Sequence, residues 1–261
     1  MLYLNVILVA SVIFAFCESS AIFDIFNKKC SVSDEGCVRG LYKGLIQEIA
    51  DNGVPEMGVP KVDPFVLNDR SIVLLGMIKL TMKAGDAKGF KNCEATNLKV
   101  DLAAQRHTLD FVCDRITVEG SYKVESTPTL LALIGGIDIH GEGNGGIVVE
   151  QVHLSFDFAF EINKLDDGEL HFKVKPDDSV YTFEIKGKAS VHADNILIGN
   201  QEISGVLVNI FNENWDFITN HLGKTVIDTI MDLFIEQAQV VLNKIPAKDF
   251  ITDDLSALVK N

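Results

Sequence analysis

The order of apolar and polar residues changes character several times along the chain. Residues from Leu2 to Phe16 form an apolar run without a charged side chain. Further on, Cys37–Ala50 (CVRGLYKGLIQEIA) places Val38, Leu41, Leu45 and Ile49 on one face at helical spacing, and Asn52-Gly53 supplies a stop. The segment GVPEMGVPKVDPF (Gly53–Phe65) is too rich in proline and glycine for a helix or a central strand, and reads as an ordered, extended connector.

From Ser71 the period becomes two. Ile72, Leu74, Ile78, Leu80 and Met82 read as one strand that alternates with Lys79, Thr81 and Lys83 in its second half. Leu98, Val100 and Leu102 repeat the pattern, as do Leu109, Phe111 and Cys113; Val118, Tyr122 and Val124 continue it less regularly. Further strands are predicted at Val152–Ile162, Leu170–Val174, Tyr181–Ile185 and Ala189–Val191. Long alternating strands with short turns predict a curled antiparallel sheet with one buried face. From about Ser204 to Lys244 there is no proline, and helical spacing runs through Leu207, Phe211, Ile218, Leu222, Val226, Ile230 and Leu233. Val206, Ile210, Ile227, Phe234, Val240 and Val241 widen the stripe until the helix must be covered on several sides, and Pro246 ends it. The fold class that satisfies both patterns is α+β, with a strongly curved antiparallel sheet wrapped around a long C-terminal helix.

The first apolar run sets the compartment. It is short for a membrane span and is followed by small residues, so residues 1–17 read as a secretory signal peptide with a weak basic region. Cleavage there leaves Cys30, Cys37, Cys93 and Cys113, an even set for an oxidising environment. Proximity favours Cys30–Cys37 and Cys93–Cys113 among the three possible connectivities. The second pair needs the 97–113 hairpin to turn near Ala103 or to contain a bulge. Residues 18–261 carry no linker-like stretch and read as one secreted domain. The net charge of −14 argues against nucleic acid and anionic membranes as partners.

One stretch raises a competing possibility. Gly141-Glu142-Gly143-Asn144-Gly145-Gly146 matches G-x-G-x-x-G, the dinucleotide-binding turn, which requires a helix to open after it. Strict alternation follows instead, from Val152 through Ile162, so the match reads as a glycine-rich turn between strands. No nucleophile elbow, phosphate loop, H-E-x-x-H or Cys/His metal spacing is present. The histidines are scattered, and each strand histidine falls on the polar phase or at a strand end, where a solvated side chain is expected. No cofactor, metal or catalytic residue is assigned, and no enzyme is expected.

Several short motifs then converge. C-x6-C at Cys30–Cys37, G-V-P-E-M-G-V-P-K-V-D-P-F at Gly53–Phe65, G-S-Y at Gly120–Tyr122, G-E-G at Gly141–Gly143, N-E-N-W at Asn212–Trp215 and I-P-x-x-x-F at Ile245–Phe250 occur in order. Together they resemble the insect takeout-like and juvenile-hormone-binding proteins over essentially the whole mature chain. The resemblance implies an internal apolar tunnel between sheet and helix. It also implies a secreted, non-enzymatic carrier of a small lipophilic ligand such as juvenile hormone, another terpenoid or a fatty-acid-like molecule. The pair Cys93 and Cys113 departs from the hormone carriers, which place their second cysteine pair later, and points to a divergent takeout-like member. Sixteen Phe against four Tyr and one Trp suit apolar walls. The candidate wall is Phe156, Phe158 and Phe160 facing Ile218, Leu222, Val226 and Ile230. No stable membrane insertion is expected, and a monomer is the default. The alternative is a secreted recognition or signalling protein whose cavity is filled by its own side chains, acting through a receptor or a surface lipid.

Overall fold

The computed structural model describes residues 28–259. The signal peptide expected at residues 1–17 lies outside them.

Helix α1 (Glu35–Asp51) begins where the Asp34 side chain accepts from the Cys37 amide at 3.0 Å, a side-chain N-cap. The Cys30–Cys37 disulfide ties the preceding segment to its first turn. Val38, Leu41 and Ala50 are buried on its inner face. The connector after it is more tightly folded than the extended segment expected. A 3-10 turn forms at Pro55–Met57, with Gly58 in the left-handed region, and Val54 pairs with Val59 across it. Pro55 can open such a turn because its ring presets the backbone and its missing N–H is not needed there.

The ten strands are β1 (Phe65–Val66), β2 (Arg70–Leu74), β3 (Ile78–Lys88), β4 (Glu94–Asp101), β5 (Arg106–Ser126), β6 (Ile139–Lys164), β7 (Leu170–Ile185), β8 (Ala189–Ala193), β9 (Ile196–Ile198) and β10 (Gln201–Glu202). They form one antiparallel sheet. Its spine is the long β5–β6 pair. On one side β5 pairs first with β4 and then with β3; on the other, β6 pairs in turn with β9, β8 and β7.

The single strand predicted from Ser71 is a hairpin. Leu75 and Gly76 both take positive φ, which turns the chain between β2 and β3. Conversely, the two strands predicted at Leu170–Val174 and Tyr181–Ile185 are one strand, in which the register on β6 jumps from Val180 to Lys175. Pro176 lies in that gap, where no ladder donor is required. The β4–β5 turn is centred between Ala103 and Ala104, and a bulge lies between Thr96 and Lys99 with Asn97 at positive φ. Both features together bring Cys93 opposite Cys113, and the two are bonded with Cα atoms 4.2 Å apart.

A second irregularity explains the weakened alternation after Cys113. Asp114 and Gln151 face each other across the spine, both exposed, between the pairs Cys113↔Val152 and Arg115↔Glu150. Each strand slips its phase by one residue there. The inner face therefore passes from Leu109, Phe111 and Cys113 to Ile116, Val118, Tyr122 and Val124 without losing its apolar character. Charges stay outside, as in the pairs Arg115–Glu150, His192–Glu119 and Lys123–Glu125.

The glycine-rich stretch is not a turn. Gly141–Gly146 lies inside β6, paired with β5 on one side and with β8 and β9 on the other. Glycine is required by close approach: a Cβ on Gly145 would sit 2.8 Å from the His192 carbonyl oxygen and 3.1 Å from the Tyr122 ring.

The predicted C-terminal helix is two helices, α3 (Ser204–Glu213) and α4 (Trp215–Lys244), broken at Asn214. A short helix α2 (Pro128–Leu133) precedes β6. The end of α3 is fixed to the sheet by Asn212, whose Oδ1 accepts from the Val191 amide at 2.8 Å and whose Nδ2 donates to the Val191 carbonyl at 3.0 Å. Helix α4 meets β7 and β8 on one margin of the sheet and β2 on the other, so the sheet curls around it. Tyr181 donates to Asp228 at 2.6 Å, and Gln239 accepts from the Val174 amide at 2.9 Å, which holds α4 along β7.

Candidate ligand-binding interior

The interior has two unlike halves. In the half built from β4, β7 and the adjoining ends of β5 and β6, the inner side chains pack tightly. Leu98, Leu109, Phe156 and Phe158 join Val38 and Leu41 of α1 and Met231, Val241 and Ile245 from the helical side in one buried cluster. A second cluster gathers Phe160, Ile162 and Phe172 under Ala247 and Leu255 of the C-terminal segment. Each fully buried Phe contributes on the order of 2–3 kcal/mol.

The other half is apolar and only partly sealed, with Ala87, Tyr122, Val124 and Ala189 buried. Ile72, Leu74, Ile78, Leu80, Met82, Ile116, Val118, Ile147, Val149 and Val191 share the inner phase of β2, β3, β5, β6 and β8. All of them retain accessible surface, and none belongs to either cluster. Helix α4 shows the same property. At 3.6 residues per turn, Ile230 and Phe234 project within the arc bounded by the buried Thr219 and Met231. They are nevertheless 44% and 46% accessible. Phe234 stacks on Phe156 and Phe158 at centroid distances of 6.5 and 6.4 Å, while those two rings are 7% accessible. Phe234 thus packs on two buried rings and still keeps much of its own surface accessible.

The residues expected to form one wall are thus divided. Phe156 and Phe158 stack on each other at 5.3 Å and meet α4 through Phe234. Phe160 instead packs edge-on against Phe172 at 5.1 Å, in the second cluster. Ile218 and Leu222 are partly buried and pack on neither cluster, whereas Val226 and Ile230 are exposed. The inner rows of β2, β3, β5 and β8 went unassigned in the sequence. Their period-two signal was visible, but which strands share a concave face depends on pairing.

Two histidines also differ from expectation. His171 is almost wholly buried: Nδ1 lies 2.9 Å from the Leu242 carbonyl oxygen and Nε2 lies 2.9 Å from Asp167. The C-terminal end of α4 covers it, which strand phase alone does not reveal. His107 sits on the inner phase of β5, next to Leu109, and lies within 3.2 Å of the Tyr42 hydroxyl of α1. Burial pushes its imidazole down to about 4, with the nearby Asp157 charge acting weakly in the opposite sense. Burial likewise raises the Tyr42 phenol above its ordinary value, so both groups are uncharged at neutral pH.

A separate cleft of about 720 Å³ lies between α2 and the ends of β5, β6 and β9. Lys123, Glu125, Asp138, His140 and Glu142 line it together with Val124, Leu131 and Leu197, so its wall mixes charged and apolar side chains. Among the described residues, no helix is long and apolar enough to cross a membrane, and no group of three His, Cys, Asp or Glu is placed to hold a metal.

The sequence matches the family described as Haemolymph juvenile hormone binding protein (JHBP) over residues 6–252. The fold is similar to the crystal structure of Takeout 1 from Epiphyas postvittana, with a TM-score of 0.71 and 25% sequence identity, over 87% of this chain and all of that one. A lipopolysaccharide binding protein structure aligns over 76% of this chain and 36% of its own, with 15% identity and a TM-score of 0.36, too low to support an inference. No curated protein matches the chain significantly.

Proposed function

The chain belongs to the haemolymph juvenile hormone binding protein family, and from that premise we propose that it is a secreted, non-enzymatic carrier that holds a small lipophilic ligand inside the curled sheet. The observation that supports this reading is the accessible apolar surface of Ile230 and Phe234 on the inward arc of α4, together with the partly accessible inner-row residues of β2, β3, β5, β6 and β8. A chain of about 15 carbons buried there gains on the order of 12 kcal/mol gross, against about 4–15 kcal/mol for association. A preformed, dry chamber is what leaves a surplus. The binding wall comprises Val226, Ile230 and Phe234 of α4 with Phe156 and Phe158 at one end; Ile218 and Leu222 lie toward the other. Phe160 supports the end from the adjoining cluster. Juvenile hormone, other terpenoids and fatty-acid-like lipids all have suitable length and polarity.

The reading is tested by extracting the purified protein with organic solvent and identifying co-purified lipid by mass spectrometry. Titration with a fluorescent fatty acid and a juvenile hormone analogue completes the test. Saturable binding supports a carrier. Absence of both extracted lipid and saturable binding favours the second reading, a recognition protein whose interior is filled by its own side chains. The tightly packed Phe156, Phe158 and Phe160 half is the observation that supports that alternative.

A further inference from the structure

Two charge-free stretches meet at one end of the sheet. Residues 71–78 (SIVLLGMI) and 126–137 (STPTLLALIGGI) contain no charged side chain, in a chain of which 23% is charged. They are far apart in sequence, and hydrogen bonds bring them together. The Thr127 hydroxyl donates to the Gly76 carbonyl at 2.7 Å, and the Thr127 amide donates to the Met77 carbonyl at 2.8 Å. Ser126 Oγ accepts from the Ile139 amide at 2.8 Å, and the Gly199 amide donates to the Asp138 carbonyl at 2.9 Å. The β2–β3 turn, the α2–β6 connection and the β9–β10 turn therefore stand side by side.

Each of these loops turns aliphatic side chains to solvent. Leu75 is 64% accessible, Leu133 65% and Ile137 52%, and Ile198, paired with Ile139 beside the β9–β10 turn, is exposed as well. Leu75 is also an unfavourable choice for its position. Its φ of 51° is one that Asn, Asp or Gly adopts easily and a bulky side chain does not, and it recovers little by burial. Gly135 and Gly136 take positive φ too, and a Cβ on either would meet nothing within 4 Å, so the connection projects clear of its surroundings. Single exposed apolar side chains are ordinary. Four on three adjoining loops, one of them at a strained position, mark a contact surface.

The chemistry of this tip selects a lipid surface over a protein. Arg, Trp, Tyr and Phe, the side chains that anchor protein–protein contacts, are absent from both stretches. Leucine and isoleucine ask for no hydrogen bond from a partner, which suits hydrocarbon. Behind the tip lies a polar collar. Lys123 pairs with Glu125 at 2.8 Å, Lys79 stands opposite Glu125 in the β3–β5 register, and Asp138 lies 3.1 Å from His140. The collar carries no surplus of positive charge to hold an anionic headgroup, and a chain of net charge −14 is repelled by one. A surface without net charge fits.

We propose that Leu75, Leu133, Ile137 and Ile198 form a docking tip that inserts reversibly into a zwitterionic phospholipid surface. Leu74 and Ile78, which flank the Leu75 turn, belong to the partly accessible inner rows of the sheet, so docking brings those rows up to the lipid. Attachment itself does not require a ligand inside the sheet.

Flotation with phosphatidylcholine vesicles tests this on the intact mature protein, delipidated beforehand so that cargo plays no part. The wild type should co-float at millimolar lipid, and replacing part of the phosphatidylcholine with phosphatidylserine should weaken it. In the double variant Leu133→Asp/Ile137→Asp the partition coefficient should fall at least about tenfold. Leu75→Asn should lower it about threefold while leaving the thermal midpoint unchanged or higher, because Asn suits the left-handed backbone. Val180→Ser removes an exposed apolar side chain near the other end of β6 and should float like the wild type. A wild type that does not co-float overturns the proposal, as does flotation unchanged in both tip variants or strengthened by phosphatidylserine. Sedimentation of the free protein adds one more outcome. A wild-type dimer that the tip variants convert to monomers would assign the surface to a second copy and overturn the lipid assignment. Absence of any bound ligand would sink the carrier reading and leave the flotation result standing, so the two are tested apart.

Discussion

Acid should loosen this protein through His107 before it does so through any carboxylate. The folded imidazole is held at about 4, against 6.5 for an unperturbed histidine, because burial beside Phe158 and Tyr42 disfavours the cation. The folded state thus binds fewer protons than the unfolded state between these values. Stability is complete above the unfolded value and is lost as pH falls through the window from 6.5 to 4. Integrating over that window gives a loss of about 2 kcal/mol between pH 7 and pH 5, rising to about 3 kcal/mol at pH 4. Asp157, Asp167 and Asp228 are held below the usual carboxylate range by their hydrogen-bond partners, so their contributions are lost only at lower pH. Urea unfolding followed by the fluorescence of Trp215, the single tryptophan, measures the effect in the wild type and in His107→Phe. The variant removes the titrating group and keeps a ring in the site. The difference between the two proteins should shift by about 2 kcal/mol from pH 7 to pH 5, to the disadvantage of the wild type. Parallel pH profiles would refute the assignment of a buried, neutral His107.

Filling the proposed chamber gives a direct check on the carrier reading. Ile230→Trp should lower lipid-probe affinity by at least about tenfold while leaving the thermal midpoint unchanged or higher, because the added ring enters space rather than packed neighbours. A drop in midpoint of several degrees with binding retained would mean that Ile230 is packed. Glycines separate in the same spirit. A Cβ on Gly120 would come within 2.6 Å of the Gly85 Cα and 2.8 Å of the Met82 Sδ, so Gly120→Ala should cost about 3 kcal/mol in denaturant unfolding. Gly40 in α1 has open space around it, and Gly40→Ala should raise stability by about 0.5–1 kcal/mol. Replacing both Cys93 and Cys113 with serine opens a loop of 20 residues and should cost about 3 kcal/mol by the same measurement.

Much of the architecture was legible because each element carries its own period. The α1 stripe of Val38, Leu41, Leu45 and Ile49 needs only helical spacing, and the long strands need only alternation. Errors arose where a single residue changes the geometry. Leu75-Gly76 turns what reads as one strand into a hairpin, and Asn214 divides what reads as one helix. At Asp114 and Gln151 a phase slip makes a continuous inner face look irregular. The glycines at Gly141–Gly146 suggested a turn by composition, whereas close neighbouring backbones require them within a strand.

The sequence by itself determined the α+β class, the antiparallel character of the sheet, the apolar breadth of the C-terminal helix and the absence of a nucleotide-binding turn. These follow from period and composition, which are local. Tertiary structure alone decided which apolar residues are sealed and which stay accessible. Phe158 and Phe234 look equally apolar along the chain, yet one is 7% accessible and the other 46%. The difference depends on the curl of the sheet and on where α4 lies between β7 and β2. The same holds for Tyr42 and His107, far apart in sequence and 3.2 Å apart in space. Burial and hydrogen-bond partnership are properties of neighbours in space, and alternation along a strand does not encode them.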